Sequence, residues 1–285
     1  MACVTDHDKL GAVVVTYSPE GDYNNRILMI CKQFPHVVVV DNSIDDIKFS
    51  DMLLDRVTLI KNSKNLGIAK AINQGISHLA DKGYEWVACF DQDTLINDNY
   101  LATISKAIME AGYKECICGS SFKENRLASW TESKKSYKHC KTVITSGSMF
   151  PISLWHKLEK FNESYFIDSV DHEFCLKARS KKYPVIKSTI INIEHEIGTK
   201  NHPKGFGFVP VHPPIRKYYI ARNVILTVKQ FFSREPLWCL KQFARLFIEF
   251  FSVVLIETGK TEKLQFFFLG LAHGLTGRKG SYLDE

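Results

Sequence analysis

The sequence predicts an α/β fold: a Rossmann-like, mostly parallel sheet flanked by helices, with a helical C-terminal extension. Three observations predict it. The strand candidates are continuous β-branched runs rather than alternating ones, as expected of strands covered on both faces. They alternate with segments of helical apolar spacing. Each run ends in polar residues, where open α/β sheets bind ligands.

The elements follow in order. "GAVVVTY" (11–17) is the first strand, and "NNRILMICKQF" (24–34) carries helical spacing at Ile27, Leu28, Cys31 and Phe34. "HVVVVDN" (36–42) and "VTLIK" (57–61) are further strands. "GIAKAINQGISHLADKG" (67–83) puts Ile68, Ile72, Ile76 and Leu79 on one face, with Gly83 as a stop. "WVACF" (86–90) is the fourth strand. The polar, lysine-rich stretch 120–143 reads as a long loop. "VITSGSMFP" (143–151) returns to strand character with a glycine at a tight spot, and "DHEFCLKARSKKY" reads as a helix with acids first and cations last. "IINIEHE" is a strand ending at His195, and the chain beyond 215 is helical. "LWCLKQFARLFIEFFSVVLIET" approaches bilayer-spanning length. Lys241, Arg245 and Glu249 nevertheless recur every four residues, a stripe that a spanning helix would not carry. The segment is expected to pack on the domain or lie in a membrane interface. The organisation expected is a domain over 1–215 and a helical region over 216–285.

Bulk properties narrow the class. The 285 residues are 45% hydrophobic and 24% charged, ordinary for a globular protein. The polar opening "MACVTDHDKL" argues against a secretory leader, so a cytoplasmic chain is expected. Eight scattered cysteines, of which only Cys116 and Cys118 are close, read as reduced thiols rather than a zinc site. Residues 200–285 hold 13 Lys+Arg and 6 Asp+Glu, a net +7 against +6 for the whole chain. The basic residues punctuate an aromatic surface, which favours an anionic membrane or a partner helix over nucleic acid.

The strand ends carry the chemistry. They read Thr16-Tyr17-Ser18, Asp41-Asn42-Ser43, Asn62 to Gly67, and Asp91-Gln92-Asp93. Turn chemistry explains "DNS" well. It explains "DQD" less well, because close carboxylates repel unless a cation or proton intervenes. Asp-x-Asp at a strand end suits Mg²⁺ or Mn²⁺, which bind through carboxylates plus substrate phosphates. A nucleotide-linked or phosphorylated substrate is then expected. In "FIDSVDHEFC", Asp171 or Glu173 could take a proton from an incoming hydroxyl, with N-capping as the plainer account. His195 could be a third metal ligand or a donor to a diphosphate. His212, Arg216 and Arg222 could present positive charge to phosphate, or simply be solvated.

The ordered stretches "VVVTYSP", "VVVVDNS", "NLGIAKAINQGI", "FDQDT", "TSGSMF", "FIDSVDHEFCLKA", "EHEIG" and "RKYYIARN" resemble family 2 glycosyltransferases. More narrowly, they are similar to bacterial rhamnosyltransferases of O-antigen or capsular polysaccharide assembly. The resemblance covers roughly residues 10–225, with "GLAHGLTGRKG" (270–280) in character. It implies a GT-A fold, with a nucleotide-binding half over about 10–95 and an acceptor half over about 96–215. It also implies a nucleotide-sugar donor, dTDP-rhamnose above all, a divalent metal and inversion at the sugar. Thr16, Tyr17, Asp41 and Asn42 would lie at the donor nucleotide, Asn65, Gly67 and Asn73 would line its pocket, and Gln92 would join them. Asp93 would ligate the metal directly, with Asp91 on the ribose or on metal-bound water, and His195 as a late ligand. Asp171 falls at the catalytic base and Glu173 at the following acid, while Val170 departs from the usual Glu. Ser146-Gly147-Ser148 would belong to the acceptor side. The acceptor implied is a lipid-linked saccharide, which would set the protein peripherally at the inner face of a bacterial plasma membrane.

Two rivals are weighed. A haloacid-dehalogenase phosphatase needs Asp-x-Asp-x-Thr/Val on an early strand, whereas here Thr94 follows Asp93 directly on the fourth strand. A non-catalytic sugar-nucleotide or membrane-binding homologue could have lost Asp171, which this chain keeps.

Overall fold

The computed structural model describes residues 4, 6–53, 55–122, 134–194 and 212–282. It forms two compact units, Met1–Asn162 with Phe174–Glu196, and Glu163–Glu173 with Ile197–Glu285.

The first unit is built on nine strands. They are β1 (Leu10–Thr16), β2 (His36–Asp41), β3 (Val57–Lys61), β4 (Trp86–Asp91), β5 (Leu95–Ile96), β6 (Ile117–Phe122), β7 (Tyr137–His139), β8 (Ser148–Pro151) and β9 (Val185–Glu194). Their order is β3-β2-β1-β4-β8-β6-β9-β5, with β7 also on β9. β3, β2, β1 and β4 are mutually parallel, as the βαβ pattern requires. β8 runs antiparallel between β4 and β6, and β9 returns parallel to β6. β5 and β7 are antiparallel to β9, so most strands share one direction.

Both faces of the parallel half are covered, which is why its strands read as unbroken apolar runs. Leu10, Ala12, Val14, Val37, Val39, Ala88 and Phe90 join Ile27 and Ile30 of α1 (Tyr23–Cys31) and Ile104 of α3 (Tyr100–Ala111) in one core. α2 (Ile68–Asp81) covers the other face with Ile72, Ile76 and Leu79. α4 (Ile152–Lys157) follows β8 directly.

The structure departs from the sequence expectation in three places. Residues 100–111, outside the expected elements, form a helix closed by Gly112 in the left-handed conformation at φ 71°. The expected loop over 120–143 begins as the end of β6 and contains β7, and residues 123–133 lie outside the described residues. Of the expected strand 143–151, only Ser148–Pro151 is extended into the sheet. Thr145 and Ser148 instead close a turn, Ser148 N–H donating to Thr145 O at 2.9 Å.

The second unit contains α6 (Pro214–Phe231), α7 (Pro236–Leu255) and α8 (Lys260–Thr276). Proline opens α6 and α7, where its missing N–H costs nothing. A buried ion cluster joins the three helices. Lys217 Nζ donates to Glu249 Oε1 and to Glu257 Oε1, both at 2.6 Å, and Lys263 Nζ reaches Glu257 Oε2 at 2.7 Å. Burial alone would push the Glu257 carboxyl upward, but the hydrogen bonds from Lys217 and Lys263 outweigh it and hold the group below its ordinary range. The segment Glu163–Glu173, expected within the domain that ends at 215, groups with these helices. α5 (Val170–Ser180) contains residues of both units.

Candidate active site

In the first unit, parallel register brings the strand ends to one edge. Thr16 pairs with Asp41, and Val15 with Asp91. The Asp41 carboxylate is fully buried. Its Oδ1 accepts from the Thr16 hydroxyl at 2.8 Å, the Ser43 hydroxyl at 2.6 Å and the Ser43 N–H at 3.2 Å. Among the described residues its Oδ2 has no hydrogen-bond partner. An unpartnered buried carboxylate oxygen is costly unless a donor arrives from elsewhere.

Asn42 and Asn62 build the next layer. The Asn42 amide donates to Gly67 O at 3.3 Å, and its Oδ1 accepts from the Asn62 amide at 2.9 Å. Asn62 and Gln74 exchange amide hydrogen bonds at 2.8 Å. Asn65 Oδ1 accepts from Gly67 N–H at 2.9 Å, which folds the turn into α2. Gly67 caps that helix at φ 85°, ψ 158°, a conformation open to glycine and strained for any residue with a Cβ.

The Asp91-Gln92-Asp93 turn is held from both sides. Thr94 N–H closes it onto Asp91 O at 3.1 Å. Ser146 Oγ accepts from Asp91 N–H at 3.2 Å and hydrogen-bonds the Thr94 hydroxyl. Gln92 Oε1 accepts from Tyr17 N–H at 2.7 Å and ties this turn to the end of β1. Asp91 is half-buried and Asp93 exposed. Gly147 sits beneath, at φ 71°, where an added Cβ would lie 2.0 Å from Ile193 Cδ1.

Thr16, Tyr17, Asp41, Asn42, Asn65, Gly67, Asp91, Gln92 and Asp93 therefore share one edge of the sheet. Asn73 does not join them. Its Oδ1 accepts from Trp155 Nε1 and from Phe161 N–H, both at 3.0 Å, and its amide donates to Phe161 O at 2.9 Å. That buried asparagine ties α2 to the segment after α4. Ser146 is likewise buried and supports the Asp91 turn, and Ser148 Oγ donates to Thr145 O at 2.7 Å. His195 lies outside the described residues. Among the described residues no group of three His, Cys, Asp or Glu could hold a metal ion. Asp91 and Asp93 stand two residues apart at this edge, a hard-oxygen pair of the kind that suits a divalent cation completed by substrate phosphate.

In the second unit, Asp171 occupies the first turn of α5, its Oδ1 accepting from His172 N–H at 2.7 Å. The approach to it is unusual: Phe166, Asp168 and Ser169 take φ 63°, 62° and 60°. α6 holds this strained loop. The Asn223 amide donates to Tyr165 O at 2.9 Å, Ile167 O at 2.6 Å and Asp168 O at 2.9 Å. Arg222 donates to Tyr165 O at 3.0 Å, Ser164 O at 3.3 Å and Gly280 O at 2.6 Å. Arg222 is fully buried, so its expected role towards phosphate gives way to holding main-chain carbonyls. Arg216 pairs with Asp168 at 3.1 Å rather than standing free for phosphate. Burial pushes the Asp168 carboxyl above its ordinary range although Arg216 opposes it. Burial and the neighbouring Arg216 and Lys217 lower His212 to about 4, so it is neutral at physiological pH and adds no positive charge.

Gln74 and Asn223 carry no expected role from sequence. Both lie within stretches that carry the family resemblance, but their partners arise only from folding.

Comparison with known proteins gives concordant results. Residues 12–175 match the family described as "Glycosyl transferase family 2". The chain is 31% identical over 292 residues to "dTDP-rhamnosyl transferase RfbF" of Shigella flexneri, covering 94% of this chain and 96% of that one. Among solved structures, S. aureus TarS 1–349 matches at TM-score 0.50 and 15% identity, over 94% of this chain and 72% of that chain. The same TarS fragment in complex with UDP-GlcNAc also matches at TM-score 0.50, with 15% identity over 94% of this chain and 73% of that chain. GalNAc-T7 with UDP, GalNAc and Mn²⁺ matches at TM-score 0.50 and 10% identity, over 67% of this chain and 44% of that chain. At these identities the structures speak to the fold alone.

Proposed function

Because the chain belongs to glycosyl transferase family 2 and has its GT-A fold, we propose that it transfers rhamnose from dTDP-rhamnose to a hydroxyl of a lipid-linked saccharide, with inversion, at the inner face of a bacterial plasma membrane. The observation that carries the donor reading is the unpartnered Asp41 Oδ2 among Thr16, Ser43 and Asn42. A thymine or uracil imide N–H is the donor this oxygen lacks. The rhamnosyl assignment follows the Shigella flexneri relative.

Asp91 and Asp93 would hold a divalent cation, which when bound supplies positive charge to a diphosphate. Gln92 fixes the turn that presents them. Asp171 takes the proton of the acceptor hydroxyl as that oxygen attacks the anomeric carbon. The bond from carbon to the nucleoside diphosphate breaks on the opposite face, its electron pair leaving with the diphosphate. The Asn223-held loop positions Asp171 without touching substrate. The inner-membrane setting rests on the lipid-linked acceptor, and among the described residues no helix is long and apolar enough to cross a membrane.

The test is a panel of sugar nucleotides assayed for nucleotide release with a lipid-linked acceptor, with and without chelator. dTDP-rhamnose should turn over fastest, and chelator should stop it. Equal turnover of UDP-hexoses, or turnover indifferent to chelator, would refute the donor or the metal reading respectively.

A further inference from the structure

The outward side of α7 points to a second function: we propose that it docks on an anionic phospholipid membrane. At about 100° per residue, Phe247, Leu240, Phe251, Leu237, Leu255 and Ile248 fall within an arc of about 100°. Each of the six is between 52% and 72% exposed. Scattered surface leucines need no explanation, but a contiguous apolar arc along a whole helix does. Phe268 of α8, 54% exposed, widens the arc, its ring 5.9 Å from that of Phe250.

The charges bordering this arc select the occupant. Lys241 and Arg245 are exposed and come next around the helix, at its edge. Glu249, the acid of α7, is turned inward onto Lys217. The face therefore offers apolar side chains and cations with no carboxylate among them. An anionic lipid surface matches both parts: acyl chains take the phenylalanines and leucines, and headgroups take Lys241 and Arg245. A second copy packed on the same face would bring like charges together along the rim with no acid to meet them.

The inner side of α7 is already fixed. Trp238 packs edge-on against His172, next to Asp171, with ring centroids 5.3 Å apart, and Lys217 anchors Glu249. The helix is therefore formed before it meets lipid. Docking would hold the unit that carries Asp171 at the surface where a lipid-linked acceptor lies. Binding itself needs no donor, metal or acceptor, so it stands or falls apart from the transfer reaction.

The full chain is floated with phosphatidylcholine vesicles with and without phosphatidylglycerol. Wild type should float with the anionic vesicles, less so as salt rises, and with unchanged helical circular dichroism. The double variant Lys241→Gln/Arg245→Gln should partition about thirtyfold less well, from roughly fivefold per cation. Phe247→Ser/Phe251→Ser should lose about a hundredfold or more at any salt. These side chains are exposed, so an unchanged unfolding midpoint separates lost docking from misfolding. Absence of wild-type flotation, or equal flotation of all three proteins, would overturn the proposal. So would a wild-type dimer that the Phe247→Ser/Phe251→Ser variant converts to monomer while flotation persists, since the occupant would then be a second copy.

Discussion

Asn223 is the position from which the site of Asp171 can be perturbed without touching it. Its two amide hydrogens are shared among the Tyr165, Ile167 and Asp168 carbonyls, and its Oδ1 accepts from Arg222 Nε at 2.9 Å. Asn223→Ala takes this donor from three carbonyls. Tyr165 O keeps Arg222, so the loss falls chiefly on Ile167 and Asp168. A buried group left unsatisfied costs about 1–3 kcal/mol, which puts the stability loss at about 3 kcal/mol. The loop it holds contains Phe166, Asp168 and Ser169 at positive φ. Conformations of that kind persist only where the surroundings impose them, so the loop relaxes. A shift of about 1 Å at a catalytic group costs about a hundredfold in rate. The expected kinetic result is therefore kcat lowered about a hundredfold with donor KM little changed. Asn223→Asp keeps the acceptor for Arg222 and removes the donors, so it should behave like Asn223→Ala. Steady-state kinetics and urea unfolding measure the two effects. An Asn223→Ala protein with wild-type kcat and stability within about 0.5 kcal/mol, inside the ordinary range for a neutral substitution, would refute the reasoning.

Three further outcomes follow from the same geometry. Lys217→Met leaves Glu249 without its buried partner and should lower unfolding free energy by about 3–5 kcal/mol; a change under about 1 kcal/mol in urea titration would mean that the cluster is solvated. His212 has a folded pKa of about 4 against an ordinary 6.5, so unfolded chains take up its proton first as pH falls. Stability present above about 6.5 is then lost towards about 4, by about 1–2 kcal/mol after allowance for solvent at a partly exposed ring, and His212→Gln should remove that part of the slope in pH-dependent urea unfolding. Gly67→Ala forces a Cβ onto φ 85° and should cost about 1–3 kcal/mol together with weaker donor binding by calorimetry; unchanged affinity and midpoint would show that the turn can adapt.

The parallel half was legible because burial on both faces writes itself into sequence as unbroken runs such as Val37–Val40, with polar ends in register. β6 was not, because Ile117–Phe122 contains Gly119, Ser120 and Ser121, and the close approach of Val143 that requires a glycine at 119 arises only from folding. α3 was missed although Tyr100, Ile104, Ala107 and Ile108 have helical spacing and Gly112 stops it. Asn73 shows the limit of a motif. It stands in a stretch that resembles the family, yet its partners Trp155 and Phe161 lie 82 and 88 residues away and turn it to packing. Arg222 is similar: a guanidinium that sequence reads as a phosphate ligand is fully buried against carbonyls 57 and 58 residues distant.

The most direct test of the central claim is the Asp171→Asn variant, compared with wild type in transfer from dTDP-rhamnose to a lipid-linked acceptor and in donor binding. An amide of the same shape cannot accept the hydroxyl proton, so transfer should fall by about 10²–10⁴-fold while donor affinity stays at the wild-type value. Transfer at the wild-type rate by Asp171→Asn would contradict the account.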